Sequence, residues 1–255
     1  MIPDQRRQKL LKALRGAGAL SVKELCELLG VSHMTVRRDI ATLESEGLAQ
    51  SVTGGVRLLQ SIRSEPTYYD KSATNLPAKR AMAALVADMI TNGQTVFLDA
   101  GTSLGQLAPH LAETEDLTIV TNDLTTAVQL SDLGNIQIFQ VGGHIDLRNR
   151  SCVGSFAAEM LSHFNFDLAL ISTSSWDVEH GVTTPSEFKV GVKRTAMARA
   201  SRRILVAGSE KFGLVGTFSV AEVADFDAII TDSELTDDDA QRLREAGPDL
   251  LRAGE

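Results

Sequence analysis

Arg37 and Arg38 lie within two helical turns of Ser32 and Thr35, a set of side chains suited to nucleic acid. Arginine's forked donors can bond guanine O6 and N7 together, while hydroxyls and exposed amides suit phosphate oxygens. An isolated arginine pair also reads as a solvated helix face, so the surrounding residues must decide. Leu25, Leu28 and Leu29 recur at helical spacing, Gly30 suits the left-handed residue that stops a helix, and Ser32 caps the next. Val36, Ile40 and Leu43 then face the first helix, leaving His33, Met34, Thr35, Arg37 and Arg38 outward or flanking. Two short helices meeting at a tight corner predict a helix-turn-helix whose second helix enters a major groove. Gly47 is expected to end that helix. Leu48 to Leu59, interrupted by Thr53-Gly54-Gly55, predicts a hairpin wing that offers Arg57 to the phosphate backbone.

A second set of residues falls where strands are expected to end. In Asp99-Ala-Gly101-Thr102-Ser103 a buried strand stops, a glycine permits close backbone approach, and two hydroxyls open a helix. Free amides and a helix dipole there would cradle a phosphate, although Gly-Thr-Ser is also an ordinary helix cap. Thr121-Asn122-Asp123 and Val141-Gly142-Gly143 end two more strands, and their repetition favours a small-molecule pocket over unrelated turns. Lys211 either adds a cation to the same rim or is a surface lysine. The histidines, at 33, 110, 144, 163 and 180, have no tight metal-ligand spacing, so no metal site is expected. Cys26 and Cys152, one in each half, argue against a disulfide framework and for a reducing compartment.

The elements that must hold these residues follow from length and pattern. At 255 residues, 43% hydrophobic and 23% charged, the chain fits two soluble domains. It has no internal repeat, its start has no apolar leader segment, and no apolar run is long enough for a bilayer. A cytoplasmic protein away from membranes is expected. Residues 1–60 contain nine Lys and Arg against six Asp and Glu, a net of +3, so the remainder carries −11. A cationic head on an anionic body fits a protein that presents one end to DNA. The head is placed at 1–59 and a polar linker at 60–76, where Tyr68 and Tyr69 either anchor the segment or leave it disordered. The second domain is placed at 77–255. There helices expected over Lys79–Ile90, Ser103–Leu111, Thr125–Ser131, Gly154–His163 and Lys193–Ala200 alternate with strands near 95–99, 117–121, 136–142, 168–173, 204–207 and 228–231. Such alternation predicts an α/β domain with a mostly parallel sheet, and ligands bind at the carboxyl ends of its strands.

Val31-Ser32-His-Met-Thr35-Val36-Arg37-Arg38-Asp39-Ile40 with Gly54-Gly55 resembles the DeoR-type helix-turn-helix and its wing. The likeness continues to about Asp232 through Asp99 to Ser103, Thr121-Asn122, Gly142-Gly143, Gly181 to Thr184 with Glu187 and Lys193, and Lys211-Phe212-Gly213. The resemblance implies a repressor of a carbohydrate operon whose operator affinity is changed by a sugar, acidic sugar or sugar phosphate. It also implies a sensor fold similar to ribose-5-phosphate isomerase, which raises a phosphosugar isomerase as the rival reading; an activator with the same parts is a third. Glu187 and Asp177 are the available carboxylate bases, but neither stands in the isomerase's sequence context, and no catalytic residue, metal or cofactor is assigned. Three departures from the family pattern bear on specificity. Ser51 and Thr53 replace the usual Arg and His of the wing, Gly208 replaces an Asp, and Trp176 enters beside the expected pocket. Trp176 either belongs to the core or stacks on a sugar ring. His144, Asp146, Arg148 and Arg150 either read the acidic end of a ligand or form a solvated loop. Paired half-sites on double-stranded operator DNA imply a homodimer or homotetramer.

Overall fold

The computed structural model of the chain describes residues 2–45, 49–58, 60–62 and 65–254, so the expected stop at Gly47 lies outside the described residues. The chain divides into two compact units, one of residues 1–61 with Gly213–Val215, the other of residues 62–212 with 216–255.

The first unit contains three helices, α1 (Pro3–Ala17), α2 (Val22–Leu29) and α3 (His33–Ser45). Ser21 caps α2 in a reciprocal box with Glu24, and Gly30, at φ +66°, ends it by donating its amide to the Cys26 carbonyl. Ser32 Oγ then accepts the Thr35 amide at 3.3 Å and starts α3. Leu10 and Leu14 of α1, Leu25 and Leu29 of α2, and Val36, Ile40 and Leu43 of α3 share one buried core. The wing is a sheet in which Gly55–Leu58 pairs antiparallel with both Ala49–Val52 and Ala19–Ser21. Its two glycines serve different ends. Gly54 turns the hairpin at φ +81°, whereas a Cβ on Gly55 would lie 2.4 Å from the Leu20 carbonyl oxygen of the neighbouring strand.

The second unit is built on seven parallel strands in spatial order Asp249–Ala253, Ala228–Asp232, Ala200–Val206, Phe166–Ser172, Thr95–Leu98, Thr118–Thr121 and Gln137–Gln140. Alternate residues of the inner strands feed two separate cores. Val96 and Leu98 pack with Met82 and Val86 of α5 (Leu76–Ala87) and Leu130 of α6 (Leu124–Ser131). Phe97 packs on the other face with Leu161 of α7 (Ser155–Ser162), Val192 of α8 (Glu187–Ala198) and Leu243 of α9 (Asp237–Glu245). This is why the strands read as continuous apolar runs. The chain runs outward from Thr95–Leu98 in one direction, then returns to Phe166–Ser172 and continues in the other. The order therefore reverses between these two neighbours, whose carboxyl ends are Asp99 and Thr173.

Three sequence expectations are corrected here. Ser103–Leu111 is not an α-helix but two 3-10 turns, Leu104–Gln106 and Ala108–Leu111, because Pro109 has no amide with which to continue a helix. The segment read as a linker contains a helix, α4 (Tyr68–Ala73), capped by Thr67 and Asp70. Alternation also missed the antiparallel additions, which are a hairpin of His144–Asp146 with Ser151–Val153 and a sheet of Ser175–Asp177, Gly181–Thr184 and Phe218–Ala221. Gly55→Ala is expected to lower the stability of the wing by about 2–3 kcal/mol because the Leu20 carbonyl must move. Gly54→Ala, which strains only its own backbone, should cost about 1 kcal/mol. Calorimetric melting of the two variants checks the order.

Candidate functional site

On α3, Arg37 and Arg38 are exposed with Ser32, His33 and Met34, Thr35 is half-buried, and Asp39 is only 2% exposed. Asp39 takes both Nε and Nη2 of Arg6, at 2.5 and 2.9 Å, whereas Arg37 and Arg38 have no ion-pair partner among the described residues. The outward face expected of a recognition helix is thus present, with the acidic residue next to the arginines, Asp39, turned inward. Arg57 is different from the expectation. It is half-buried in the wing sheet and directs Nε and Nη2 at Gln50 Oε1, so its guanidinium is held by the wing.

At the reversal of strand order, Asp99 is the centre. Its Oδ2 accepts from the Ser172 amide and hydroxyl, each at 3.0 Å, and from Lys193 Nζ, which also donates to the Ser172 carbonyl at 2.7 Å. Both charged groups are buried, Asp99 at 3% and Lys193 at 5% exposure. The neighbouring strand end is tied in as well. Asn122 Oδ1 accepts the Ala100 amide at 2.9 Å, Asp123 Oδ2 accepts the Gly101 amide at 3.2 Å, and Thr121 Oγ1 donates to the Leu98 carbonyl at 2.7 Å. A Cβ on Gly101 would meet Ser172 at 3.0 Å. Two parts of the expected phosphate cradle therefore change. The Gly101 amide is already used, and no α-helix follows to supply a dipole. Thr102 and Ser103 remain, with main-chain amides and hydroxyls that have no hydrogen-bond partner among the described residues.

Above these strand ends five lysines act on one another's charge. Lys193 and Lys189 are on α8, Lys71 on α4, Lys79 on α5 and Lys211 in the turn after Ala200–Val206. Glu65 joins two of them, with Oε1 2.7 Å from Lys189 and Oε2 3.0 Å from Lys71. Burial alone would push this carboxyl up, but the two ammonium groups hold it at about 2. Lys79 and Lys211 have no ion-pair partner among the described residues. Burial, reinforced by Lys211 and Lys71, holds Lys79 down at about 8 against the pull of Glu210, and burial also lowers Lys211. Lys79 makes its hydrogen bond to the carbonyl of Lys71.

The other expected residues fall as follows. Trp176 is fully buried, edge-on to Phe212, with Nε1 donating to the Gly208 carbonyl at 3.3 Å; it is a core residue and presents no face to a ligand. Glu187 is exposed at the start of α8, and the acid that joins Lys189 to Lys71 is the half-buried Glu65 instead. Gly142 and Gly143 are exposed, and Gly143 allows close passage, since a Cβ would meet the Val153 carbonyl at 3.0 Å. Arg148 is exposed on the hairpin and its carbonyl accepts the Tyr68 amide at 2.8 Å. Arg150 lies over the rings of Tyr68 and Tyr69, at 4.9 and 4.3 Å, so the tyrosines do anchor their segment. Glu65, Lys71, Lys79 and Lys189 were missed. Only Lys189 left a signal, being four residues before Lys193 and so on the same face of a helix.

A winged helix-turn-helix with outward arginines, on one chain with an α/β sheet bearing a cationic strand-end site, defines a transcriptional regulator. The chain belongs to the DeoR family: the DeoR-like helix-turn-helix domain matches residues 6–62 and the DeoR C-terminal sensor domain residues 74–233. It is 40% identical to an uncharacterized HTH-type transcriptional regulator of Haemophilus influenzae over 98% of each chain, and 40% identical to the regulator YgbI of Escherichia coli K12 over 99% of each. A putative aga operon transcriptional repressor of Escherichia coli O157:H7 is 31% identical over 98% of this chain and 94% of its own. Ribose 5-phosphate isomerase A of Methanocaldococcus jannaschii aligns over 55% of each chain at 10% identity and a TM-score of 0.40, too distant to bear on chemistry. Of the two carboxylates available as an isomerase base, Asp177 is fully buried against His180 and Glu187 is exposed at the start of α8. No helix among the described residues is long and apolar enough to cross a membrane.

Asp99→Ala is expected to destabilise the sensor by about 3–5 kcal/mol, because it leaves Lys193 buried without its partner. Urea unfolding followed by the emission of Trp176, the chain's single tryptophan, measures this.

Proposed function

We propose that the protein is a repressor of a carbohydrate operon that binds paired operator half-sites through α3 and is retuned by an anionic carbohydrate, a sugar phosphate or acidic sugar. The observation that carries the effector class is the pair of ammonium groups, Lys79 and Lys211, held near the carboxyl ends of the strands with no ion-pair partner among the described residues, although Glu210 acts on both from a distance. Their low proton affinity reflects a site that gains by receiving negative charge. Thr102 and Ser103 offer donors and acceptors to sugar hydroxyls beside them. The repressor sign rests on the likeness to the aga operon repressor of Escherichia coli O157:H7. Linkage supplies the mechanism: effector and operator favour different arrangements of the molecule, and each changes the other's affinity by the same factor. Because a single head makes few contacts, a homodimer or homotetramer is part of the proposal. Ser32, His33, Met34 and Thr35 complete the reading surface, with Arg57 in a supporting role within the wing.

Two outcomes are expected. Arg37→Ala and Arg38→Ala should each weaken specific operator binding by about tenfold or more, measured by fluorescence anisotropy, while thermal stabilisation by effector persists. Unchanged operator affinity in both variants rejects α3 as the reader. The second concerns pH. Lys79 begins to lose its proton near 8, and a bound anion favours the protonated form. Binding should therefore take up protons, and affinity should fall as pH rises above 8, by at most about tenfold per unit for one proton. Titration calorimetry with sugar phosphates in buffers of different ionisation enthalpy reads the uptake; a flat profile that Lys79→Met does not alter removes Lys79 from the site.

A further inference from the structure

Glu65 is placed unlike the other acids near the lysines. It stands at the sensor end of the connection from the head, it joins Lys71 of α4 to Lys189 of α8, and its side chain is 9% exposed. Lys189 has a second acid within reach, Asp146 at 3.4 Å. The helix that follows Glu65 buries none of its six residues. It is held instead by polar contacts: the Tyr68 amide on the Arg148 carbonyl, Tyr69 Oη with Arg150, Lys71 with Asn149 and Glu65, and the Lys71 carbonyl with Lys79. A segment fixed by charge and hydrogen bonds can be released by another charge, whereas one fixed by apolar burial cannot. The pair is also within reach of solutes. Glu65 and Lys189 form part of the wall of an open pocket of about 470 Å³, which His144, Asp146 and Phe188 also line.

We infer that Glu65 is an internal counter-anion of the effector site, and that the anionic group of an effector takes its place between Lys71 and Lys189. Glu65, with the chain leading from it back to the head, is thereby set free. The inference rests on the anion-binding reading above and adds the means by which occupancy is reported along the chain. A phosphate monoester has the advantage in this exchange. It brings up to two negative charges and three acceptor oxygens where the carboxylate brings one charge and two, so it can hold both lysines and still reach a third. The displaced carboxylate returns to water, and the ligand satisfies the buried ammonium groups.

The test uses the full-length protein and inorganic phosphate. Thermal stabilisation gives phosphate affinity for the wild type, Glu65→Gln and Lys211→Ala, and hydrogen exchange with mass spectrometry follows the peptide that ends at Thr67. Phosphate is expected to speed exchange of this peptide in the wild type, and Glu65→Gln to bind phosphate about tenfold more tightly, with the peptide already fast in its absence. Should Glu65→Gln fail to fold, the wild-type exchange decides alone. Phosphate that binds the wild type in a Lys211-dependent way but leaves the peptide's exchange unchanged or slower overturns the role of Glu65 and spares the anion site. Phosphate that stabilises no form overturns both.

Discussion

The buried pair of Asp99 and Lys193 is the constraint on which the sensor depends. Where strand order reverses, two neighbouring strands send their chains to opposite sides, and their carboxyl ends would otherwise open a cleft. Asp99 closes it by holding the amide and hydroxyl of Ser172 across the gap, while Lys193 reaches the same carboxylate and the Ser172 carbonyl. Two opposite charges out of water are tolerable only when each is also hydrogen-bonded, as both are here. The pair also sets α8 against the sheet. Lys189, one turn earlier on that helix, is thereby delivered to Glu65, and Glu65 to Lys71. Structural and ligand-facing charges thus form one connected set.

The strand ends show how motif residues divide their labour. Thr121, Asn122 and Asp123 are spent on the backbone of residues 98–101, so they shape the site by fixing its floor. The groups left for a ligand come from Thr102, Ser103 and the lysines. A glycine in this setting is an allowance for close packing: Gly101 passes beside Ser172, and Gly143 passes beside Val153 and Ala157.

Periodicity made the head and the parallel sheet legible. Leu25, Val36 and Ile40 keep helical spacing over whole turns, and runs such as Val96 to Leu98 are apolar on both faces because two cores enclose them. Short elements were not legible, since strands of three residues such as Ser151–Val153 show too little pattern, and Pro109 broke a helix that its neighbours suggested. Site residues matching a long motif could be named, and the strand ends near Asp99 do come together. Glu65, Lys71 and Lys79 could not. Glu65 and Lys71 come from a polar stretch without period, Lys79 opens a helix whose pattern says nothing of its partners, and only the folded chain places them beside Lys189 and Lys211. Trp176 was ambiguous for a plain reason: its immediate neighbours, Ser175 and Asp177, are polar, and an apolar partner that it packs against, Phe212, is distant in sequence.

Asp39 adjoins the two exposed arginines of α3 but points the other way, into Arg6 of α1. Each residue turns an α-helix by about 100°, so the angular phase of α3 fixes where Arg37 and Arg38 aim. Apolar packing sets that phase by shape alone, without a directional bond. A bidentate arginine-carboxylate bond has one geometry. Attached on the side away from the arginines, it works as an indexing pin, and the direction in which this helix faces the world is decided from behind.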